Sequence, residues 1–158
     1  MSEPVFETIC RLLDDAAVPY RKVHHPPTRT SEDSARERGE DLGIGGKALL
    51  LKTKNEFKLF VFSAARKLDS GAVKSHLGVK KMRFARPEEL EEQTGLVPGA
   101  VPPFGHPILP YDLYVDNSIL ANDKIAFNAG SLTDSIILKV EDYLRVAKPE
   151  VFEFSVEP

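Results

Sequence analysis

The sequence predicts one α+β domain, in which helices surround a mixed or antiparallel twisted sheet. The chain has 158 residues, enough for one ordinary domain with a hydrophobic core and too few to expect two. Runs typical of strands and of amphipathic helices are intermingled along it, and several of them are neighbours of hairpin type. Neither a linker nor an internal repeat separates them. We therefore expect residues 1–158 to form a single domain.

The first part of the chain is predicted to hold a helix, a strand and a second helix. Apolar residues at helical spacing in "EPVFETICRLLDDA" predict an amphipathic helix. "VPYRKVHH" predicts a short strand, which Pro26 and Pro27 end. In "TSEDSARERG", Thr30 and Asp33 stand three residues apart, as at a helix N-cap, and Gly39 closes the helix.

A hairpin is expected next. "KALLLKTKNEFKLFVFSA" contains two apolar runs of β type around a polar Lys54-Asn55 turn. Because Ala48 to Leu51 are all apolar, the first of these strands is expected to lie centrally, with both faces covered.

Shorter elements follow the hairpin. "DSGAVKSHLG" predicts a helix capped by Asp69 or Ser70 and ended by Gly78, and "KKMRFA" predicts a strand. "PEELEEQTG" predicts a helix from Pro87 to Gly95. Further on, "YDLYVD", "KIAFNAG" and "SIILKV" predict three strands, and "EDYLRVA" predicts one or two helical turns.

A long loop, "TGLVPGAVPPFGHPILPYD", covers residues 94–112 and combines five prolines and three glycines with apolar side chains. A connection of this length is uncommon unless it is functional or disordered, and its apolar side chains argue against disorder. Two interpretations remain open. The loop is either a rigid wall of a binding site, where glycine lets the backbone approach a ligand, or a crossover that only packs over the sheet.

The charge is unevenly distributed. The chain carries a net charge of −3, but between Gly45 and Arg86 eleven basic residues oppose two acidic ones, a net +9. Such a cluster is either a binding surface for phosphates or an ordinary solvated face.

Lys47 stands where the glycine-rich turn of "GIGGKALLLK" leads into the apolar strand. A P-loop needs glycine six residues before the lysine and Ser or Thr after it, where this chain has Asp41 and Ala48. What remains is a cation held close to flexible backbone, suited to a phosphate or a developing oxyanion. The alternative is a lysine that only marks the end of a strand.

Nucleophilic and metal-dependent catalysis have little support. Cys10, the single cysteine, has no obvious base beside it and excludes an internal disulfide, and Ser131 has no identifiable histidine partner. We expect neither a metal nor a cofactor, because the four histidines are adjacent or isolated in the sequence: His24, His25, His76 and His106. No run approaches a membrane span and the start does not resemble a secretory signal, so we expect a cytoplasmic protein without a membrane partner.

The motifs together resemble the YbaK/prolyl-tRNA synthetase-associated domain family, whose members hydrolyse mischarged aminoacyl-tRNA. The resemblance runs over nearly the whole chain, through "YRKVHHPPTRTSEDSA", "GGKALLLK", "TGLVPGAVPPFG", "VDNSIL" and "FNAGS". It implies the fold given above and a catalytic role for Lys47. It also implies a substrate-binding set: Thr30, Gly95, Pro98, Gly99, Ala100, Pro103, Gly105, His106, Asp116, Asn128, Gly130 and Ser131.

The implied activity is trans-editing. A free-standing member would release a small amino acid (Ala, Cys, Ser or Thr) from tRNA-Pro or a similar tRNA, with Lys47 holding the terminal adenosine, its phosphate or the ester oxygens. Backbone amides of the 99–105 loop and of Gly130 are expected to stabilise the oxyanion, and the proline-stiffened loop to exclude the cognate amino acid. Departures from the family at Ala100, at Pro102 and in "NAGS" leave the amino acid open.

The implied partner is the acceptor end of a mischarged tRNA, and an aminoacyl-tRNA synthetase is a further candidate. The expected phosphate contacts are Lys80, Lys81, Arg83 and Arg86. Two other classes of function stay open at this point: a non-catalytic module that binds tRNA ends or a synthetase, and a small-molecule-binding protein unrelated to tRNA.

Overall fold

The computed structural model describes residues 4–28 and 30–158, and this part of the chain contains six α-helices and ten strands, intermingled along the sequence. In chain order they are α1 (Val5–Asp15), β1 (Arg21–His24), α2 (Ser31–Arg38), a 3-10 helix (Leu42–Ile44), β2 (Gly46–Thr53), β3 (Glu56–Ser63), β4 (Lys67–Leu68), α3 (Ser70–Leu77), β5 (Arg83–Phe84), α4 (Pro87–Thr94), β6 (Leu113–Asp116), α5 (Asn117–Leu120), β7 (Lys124–Asn128), β8 (Asp134–Lys139), α6 (Val140–Ala147), β9 (Glu150–Phe152) and β10 (Ser155–Val156).

The strands of the described residues form three sheets. The largest has five strands in the order β5-β2-β3-β6-β9. Its β3–β6 and β6–β9 pairs are parallel, whereas its other pairs are antiparallel. A second, antiparallel sheet has the order β1-β8-β7, and β10 pairs with β4. The predicted α+β class with mixed and antiparallel pairing is therefore confirmed.

At the β2–β3 hairpin, both faces of the large sheet are covered by hydrophobic side chains. Its register runs from Gly46 opposite Ser63 to Thr53 opposite Glu56, with the turn between them as predicted. Leu50 and Leu51 point to opposite faces, and only 5% and 0% of their surfaces are exposed. Leu50 packs in the larger hydrophobic cluster with side chains of α1, α6, β7 and β8. Leu51 packs in a smaller cluster on the other face.

Helix ends follow the predicted capping residues. The Thr30 side chain accepts a hydrogen bond from the Asp33 N–H (3.1 Å), and the Asp69 side chain accepts one from the Ala72 N–H (3.1 Å). The glycines predicted to end α2, α3 and α4 all adopt the left-handed conformation.

The loop after α4 is ordered by its own apolar side chains. Leu96, Val101, Phe104, Leu109 and Tyr111 are buried. The Tyr143 hydroxyl also donates a hydrogen bond to the Pro103 carbonyl oxygen (2.6 Å). Most of the loop therefore packs as a crossover, which was one of the two interpretations left open.

The sequence missed the shortest elements. The predicted strand "KKMRFA" contracts to Arg83–Phe84, and β4, β9, β10 and α5 were not predicted. The missed strands have two or three residues and α5 is a single turn, too few positions for a periodic pattern. They form because distant segments pair, as Ser155 does with Leu68.

Candidate active site

A cavity of about 590 Å³ opens where the start of β2 meets the N-terminal part of α2, the loop after α4 and the end of β7. It brings together five of the predicted site residues: Thr30, Lys47, Pro98, Gly99 and Asn128. Hydroxyl groups make up much of the remaining polar lining, from Thr28, Ser31 and Ser34. The sequence therefore located the cavity, although not all of its lining.

Lys47 is the exposed cation of the cavity. It is the second residue of β2 and lies opposite Phe62 of β3. Its side chain is exposed, and among the described residues no group accepts a hydrogen bond from its ammonium group or pairs with its charge. The ammonium group is therefore available to an anionic or oxygen-rich ligand.

One edge of β2 is open beside Lys47. The neighbouring strand β5 pairs only with Leu51 and Lys52, so the first half of this edge has no partner from β5. The Ala85 N–H donates to the Leu50 carbonyl oxygen (2.9 Å), and in an antiparallel register the backbone groups of alternate residues point the same way. Ala48 therefore directs its N–H and C=O away from β3, and it lines the cavity. Sequence reasoning missed this backbone donor and acceptor.

The wall opposite the open edge is a tight turn. The Ala100 N–H donates to the Val97 carbonyl oxygen (3.1 Å), with Pro98 and Gly99 between them. Gly99 has a φ of 89°, as the third residue of a type II turn requires. The Asn128 side-chain amide donates to the Gly99 carbonyl oxygen (2.9 Å) and ties the turn to β7. This part of the loop is a rigid wall, which was the other interpretation left open.

A buried polar layer lies at the inner side of the cavity. Arg38 donates through Nε to the Ser135 Oγ (2.8 Å) and through Nη2 to the Asn128 Oδ1 (3.1 Å). The Ser34 hydroxyl donates to the Thr28 Oγ1 (2.7 Å). Apart from Asn128, none of these residues was predicted. The signal in the sequence is the i, i+4 spacing of Ser34 and Arg38, which places both on one face of α2.

Arg38 is a charged group held away from solvent. Burial lowers the pKa of its guanidinium to about 10, while the nearby Glu40 carboxylate acts in the opposite direction. The group remains cationic at neutral pH, because even the lowered pKa is well above 7.

Five predicted substrate-binding residues of the loop lie outside the cavity lining: Gly95, Ala100, Pro103, Gly105 and His106. Gly95 ends α4 with a φ of 75°. Gly105 packs so closely on the chain that a Cβ there would lie 2.5 Å from the Tyr111 carbonyl oxygen. His106 is exposed. In the structure the two glycines and Pro103 shape the loop.

Two of the expected oxyanion donors are already occupied. The Gly130 N–H donates to the Ala100 carbonyl oxygen (2.9 Å), and the Ala100 N–H is used within the turn. Neither amide is free to bind a substrate oxygen, which corrects the expectation for them. Ser131 also lies outside the cavity lining, where its Oγ accepts a hydrogen bond from the Thr133 N–H (3.0 Å).

Asp116 lies beside a different cavity, of about 610 Å³, which Lys47 does not line. Its carboxylate accepts hydrogen bonds from the Ser118 N–H (2.9 Å), the Ser155 hydroxyl (2.6 Å) and the Phe154 N–H (2.5 Å). Burial alone would raise the pKa of Asp116, but these hydrogen bonds outweigh it and hold the pKa below its usual value. Asp116 therefore does not line the Lys47 cavity. Its hydrogen bonds hold α5 and the C-terminal segment to the end of β6.

The four predicted tRNA contacts are all exposed: Lys80, Lys81, Arg83 and Arg86. Two of them have acidic partners in α4. Arg83 donates to both carboxylate oxygens of Glu89 (2.6 and 3.0 Å), and Arg86 lies 3.5 Å from Glu88 and from Glu89. Hydrogen bonds from Arg83 and from the Arg86 backbone lower the pKa of Glu89 to about 2. The charge of these arginines is therefore largely balanced.

Lys80 and Lys81 differ from the arginines, because no carboxylate among the described residues pairs with them. Phe84 follows them on β5 with 58% of its surface exposed, and it stands opposite Leu51 of β2. The exposed ring of Phe84 thus lies on the strand next to the one that carries Lys47, and the two cations, unpaired within the described chain, lie in the segment just before that strand.

Residues 4–28 and 30–158 hold no group of three or more His, Cys, Asp and Glu side chains arranged to bind a metal ion. None of the helices in these ranges has both the length and the apolar character that crossing a membrane requires.

Comparisons of sequence place the chain among editing proteins. The profile of the aminoacyl-tRNA editing domain matches residues 25–146. The multifunctional Ser/Thr-tRNA deacylase ProXp-y of Escherichia coli (strain K12) is 39% identical over 154 residues, which cover 94% of this chain and 91% of the relative. A proline–tRNA ligase of Macrococcus caseolyticus is 27% identical over 108 residues, which cover 68% of this chain and 19% of the ligase.

Comparison of structures agrees. The crystal structure of a candidate trans-editing enzyme for prolyl tRNA synthetase superposes with a TM-score of 0.83 at 25% identity, over 99% of each chain. That of a hypothetical protein gives a TM-score of 0.84 at 23% identity, over 94% of this chain and 99% of the other, and this likeness concerns the fold alone. The predicted family and its editing function are confirmed, and the chain belongs to the aminoacyl-tRNA editing domain family.

Proposed function

We propose that the protein hydrolyses the ester between a tRNA and a small amino acid with a hydroxyl side chain, and that Lys47 is central to this reaction. The observation that carries the proposal is the cavity of about 590 Å³, which combines Lys47, unpaired among the described residues, with a rigid wall at Gly99 and a lining rich in hydroxyl groups. A site of this kind positions a small polar ester and excludes larger ones.

The chemistry needs positioning more than a strong nucleophile, because an aminoacyl ester is already activated. Water adds to the carbonyl carbon, with the 2′-hydroxyl of the terminal ribose as a group that can orient it, and the bond to the ribose oxygen then breaks. Of the two protons of this water, one goes to the ribose oxygen and the other to solvent, and the amino acid leaves as its carboxylate. Lys47 holds the terminal phosphate or the ribose and ester oxygens by charge.

No covalent intermediate with the protein is part of the proposal. Cys10 does not line the cavity, and burial raises the pKa of its thiol, so little thiolate forms near neutral pH. Among the described lining residues there is neither a cysteine nor a histidine, so the serines and threonines there have no histidine base.

The hydroxyl lining favours serine and threonine as the released amino acids. The Ser34 hydroxyl is used by Thr28, but the hydroxyl groups of Thr28, Thr30 and Ser31 donate to no group of the described residues. A hydroxyl side chain of the substrate can pair with them, whereas an apolar side chain would leave them without a partner. The name of the Escherichia coli relative, a Ser/Thr-tRNA deacylase, supports the same choice. We expect alanine and cysteine esters to react more slowly, and the proline ester to be spared.

The acceptor end of the tRNA is proposed to lie along β5. Lys80 and Lys81 contact phosphates there, and Phe84 offers its ring to an unpaired base. The match to part of a proline–tRNA ligase supports tRNA-Pro as one substrate and a synthetase as a candidate partner. Editing in translation also implies a cytoplasmic protein.

The test is a panel of esters. Purified protein is mixed with tRNA-Pro that carries serine, threonine, alanine, cysteine or proline, and the loss of each ester is followed over time. Lys47→Ala is measured in parallel, and Lys67→Ala serves as the control, because Lys67 is also an exposed strand lysine but lies outside the cavity. Melting temperatures verify that both variants fold.

We expect rapid loss of the serine and threonine esters, an intact proline ester, and at least a 100-fold lower rate for Lys47→Ala, in the range expected for loss of a charge at a reacting centre. Lys67→Ala should match the wild type. If the wild type hydrolyses none of the esters, the proposed activity is wrong. Full activity of Lys47→Ala would instead show that the role proposed for Lys47 is wrong, and would leave the deacylase activity in place.

A further inference from the structure

Arg38 is the only lysine or arginine among the described residues that the fold buries, with 8% of its surface exposed. It is the last residue of α2, and it lines the inner part of the Lys47 cavity. Burying a cation costs free energy unless a counter-charge or hydrogen bonds offset the lost hydration, so the groups that contact Arg38 are decisive.

The partners of Arg38 are neutral. Its Nε and Nη2 groups donate to the hydroxyl of Ser135 and the side-chain carbonyl of Asn128, and no carboxylate in residues 4–28 and 30–158 forms an ion pair with it. Glu40, which acts on it electrostatically, is paired with Arg21 (2.7 Å) and Lys124 (3.0 Å). The positive charge is therefore held in place but not balanced.

The remaining nitrogen, Nη1, opens into the cavity. It has no hydrogen-bond partner in the described part of the chain, although every fully buried side-chain nitrogen and oxygen atom there has one. Nη1 must therefore be accessible to solvent. It lies beside Gly45, another lining residue, where an added Cβ would be 3.7 Å from Nη1. A ligand in the cavity can reach a donor that the protein leaves unused.

We propose that Arg38 is a second catalytic residue of the editing reaction: Nη1 donates a hydrogen bond to the carbonyl oxygen of the scissile ester and stabilises the negative charge that develops there. The inference rests on the proposed deacylase function and adds the group that binds the oxyanion. The charge forms when water adds to the carbonyl carbon, and it disappears when the bond to the ribose oxygen breaks.

Two features favour the ester carbonyl over a tRNA phosphate as the ligand of Arg38. A phosphate would have to lose most of its hydration to reach a side chain this deeply buried, whereas the exposed Lys47 can bind it at the surface. Oxyanion stabilisation also needs a donor fixed before the reaction, and two hydrogen bonds fix this guanidinium. Of the expected donors, the Ala100 and Gly130 amides are occupied.

The first test replaces the guanidinium. Arg38→Gln and Arg38→Lys are compared with the wild type for kcat and KM on serine-charged tRNA-Pro, with melting temperatures as the control for folding. We expect Arg38→Gln to lower kcat about 100-fold with KM within about threefold, as for the loss of one oxyanion donor, and Arg38→Lys to recover part of the loss. A folded Arg38→Gln variant with wild-type kcat overturns the proposal. So does a raised KM at unchanged kcat, because it would mean that Arg38 binds the substrate in its ground state.

The second test leaves Arg38 in place and balances its charge. Asn128→Asp puts a carboxylate against Nη2, whereas the matched control Asn128→Ala removes the same amide without adding charge. Both lose the hydrogen bond to Gly99. Asn128→Asp keeps an acceptor for Arg38 and Ser135 and adds a charge that balances Arg38, whereas Asn128→Ala removes the acceptor and leaves the charge of Arg38 unbalanced. We expect kcat of Asn128→Asp to be about tenfold below that of Asn128→Ala, even where Asn128→Asp is the more stable protein. Equal kcat values overturn the proposal. A wild type without any deacylation in the same assay would refute the proposed function instead.

Discussion

The side-chain amide of Asn128 donates a hydrogen bond to the carbonyl oxygen of Gly99 over 2.9 Å, and so joins the end of β7 to the turn that walls the cavity. The same side chain accepts hydrogen bonds from Arg38 and Ser135. One residue of the second sheet thus fixes the positions of both the wall and the buried cation.

Replacing Asn128 by alanine should affect both stability and activity. The Gly99 carbonyl and the Arg38 guanidinium would lose partners, so we expect a loss of about 2 kcal/mol in the free energy of unfolding and a melting temperature lower by about 4–8 °C. A looser wall should also lower kcat/KM about tenfold. Thermal denaturation and deacylation kinetics measure these effects, with exposed Asn117→Ala as the control. An unchanged melting temperature would contradict this account of Asn128.

Salt dependence should separate the free lysines from the paired arginines. Lys80→Ala/Lys81→Ala is expected to weaken tRNA binding and to reduce the slope of log Kd against log salt concentration by about one to two, because fewer phosphates are neutralised. Arg83→Ala/Arg86→Ala should change the slope less, since Glu88 and Glu89 already balance these arginines. Titration of labelled tRNA at several salt concentrations measures both variants. Equal effects of the two pairs would refute this distinction.

Phe84 is expected to contribute to tRNA binding by stacking rather than by charge. Phe84→Ala should raise Kd for tRNA about tenfold and leave the salt slope unchanged, because a ring neutralises no phosphate. The matched control is Val151→Ala, since Val151 is also an exposed apolar residue, on the opposite edge strand of the same sheet. If both variants bind tRNA as the wild type does, the proposed path along β5 is wrong.

Because of Asp116, the free energy of unfolding should fall as the solution becomes acidic. Its pKa is lower in the folded chain than in the unfolded chain, where it is about 3.9, so its contribution is complete above that pH and is lost as the pH falls towards the folded value. Asp116→Asn should cost about 3 kcal/mol at pH 7, where the charged acceptor is lost, and should reduce the loss of stability between pH 7 and pH 3. Urea denaturation at both pH values measures this.

The control for Asp116 is exposed Asp15→Asn, which should stay within about 0.5 kcal/mol of the wild type. Asp116→Asn should also keep its kcat at a temperature where it remains folded, because Asp116 does not line the Lys47 cavity. A variant that is stable but inactive would support the substrate-binding role that the family resemblance implied.

Local signals in the sequence were sufficient wherever neighbouring residues determine the structure. The cap at Thr30, the turn at Gly99 and the β2–β3 hairpin all depend on a few consecutive residues, and so does the position of Lys47 at a strand start. Arg38 was missed because the charged sequence of α2 resembles a solvated helix. What buries Arg38 is its contact with Ser135, 97 residues further along the chain.

The same reason explains the site residues that did not gather around Lys47. The resemblance implied a substrate-binding role for Asp116, but its carboxylate accepts a hydrogen bond from the backbone N–H of Phe154, 38 residues away. A local sequence pattern cannot predict such a long-range contact. The Gly130 amide is likewise not available, because its N–H donates to the carbonyl oxygen of Ala100 in the loop. Sequence reasoning identified residue types suited to the chemistry, whereas long-range pairing determined which of them remained available.

The short length of β5 has a consequence for how the empty protein behaves. Because β5 stops at Arg83–Phe84, the amide of Ala48 lies on a stretch of sheet edge that no strand of the described chain covers. A bound aminoacyl ester would take the place of the missing strand there, in the way a peptide completes an open sheet. The amide proton of Ala48 should then exchange rapidly with deuterated solvent in the free protein and become protected when a non-hydrolysable substrate analogue fills the cavity.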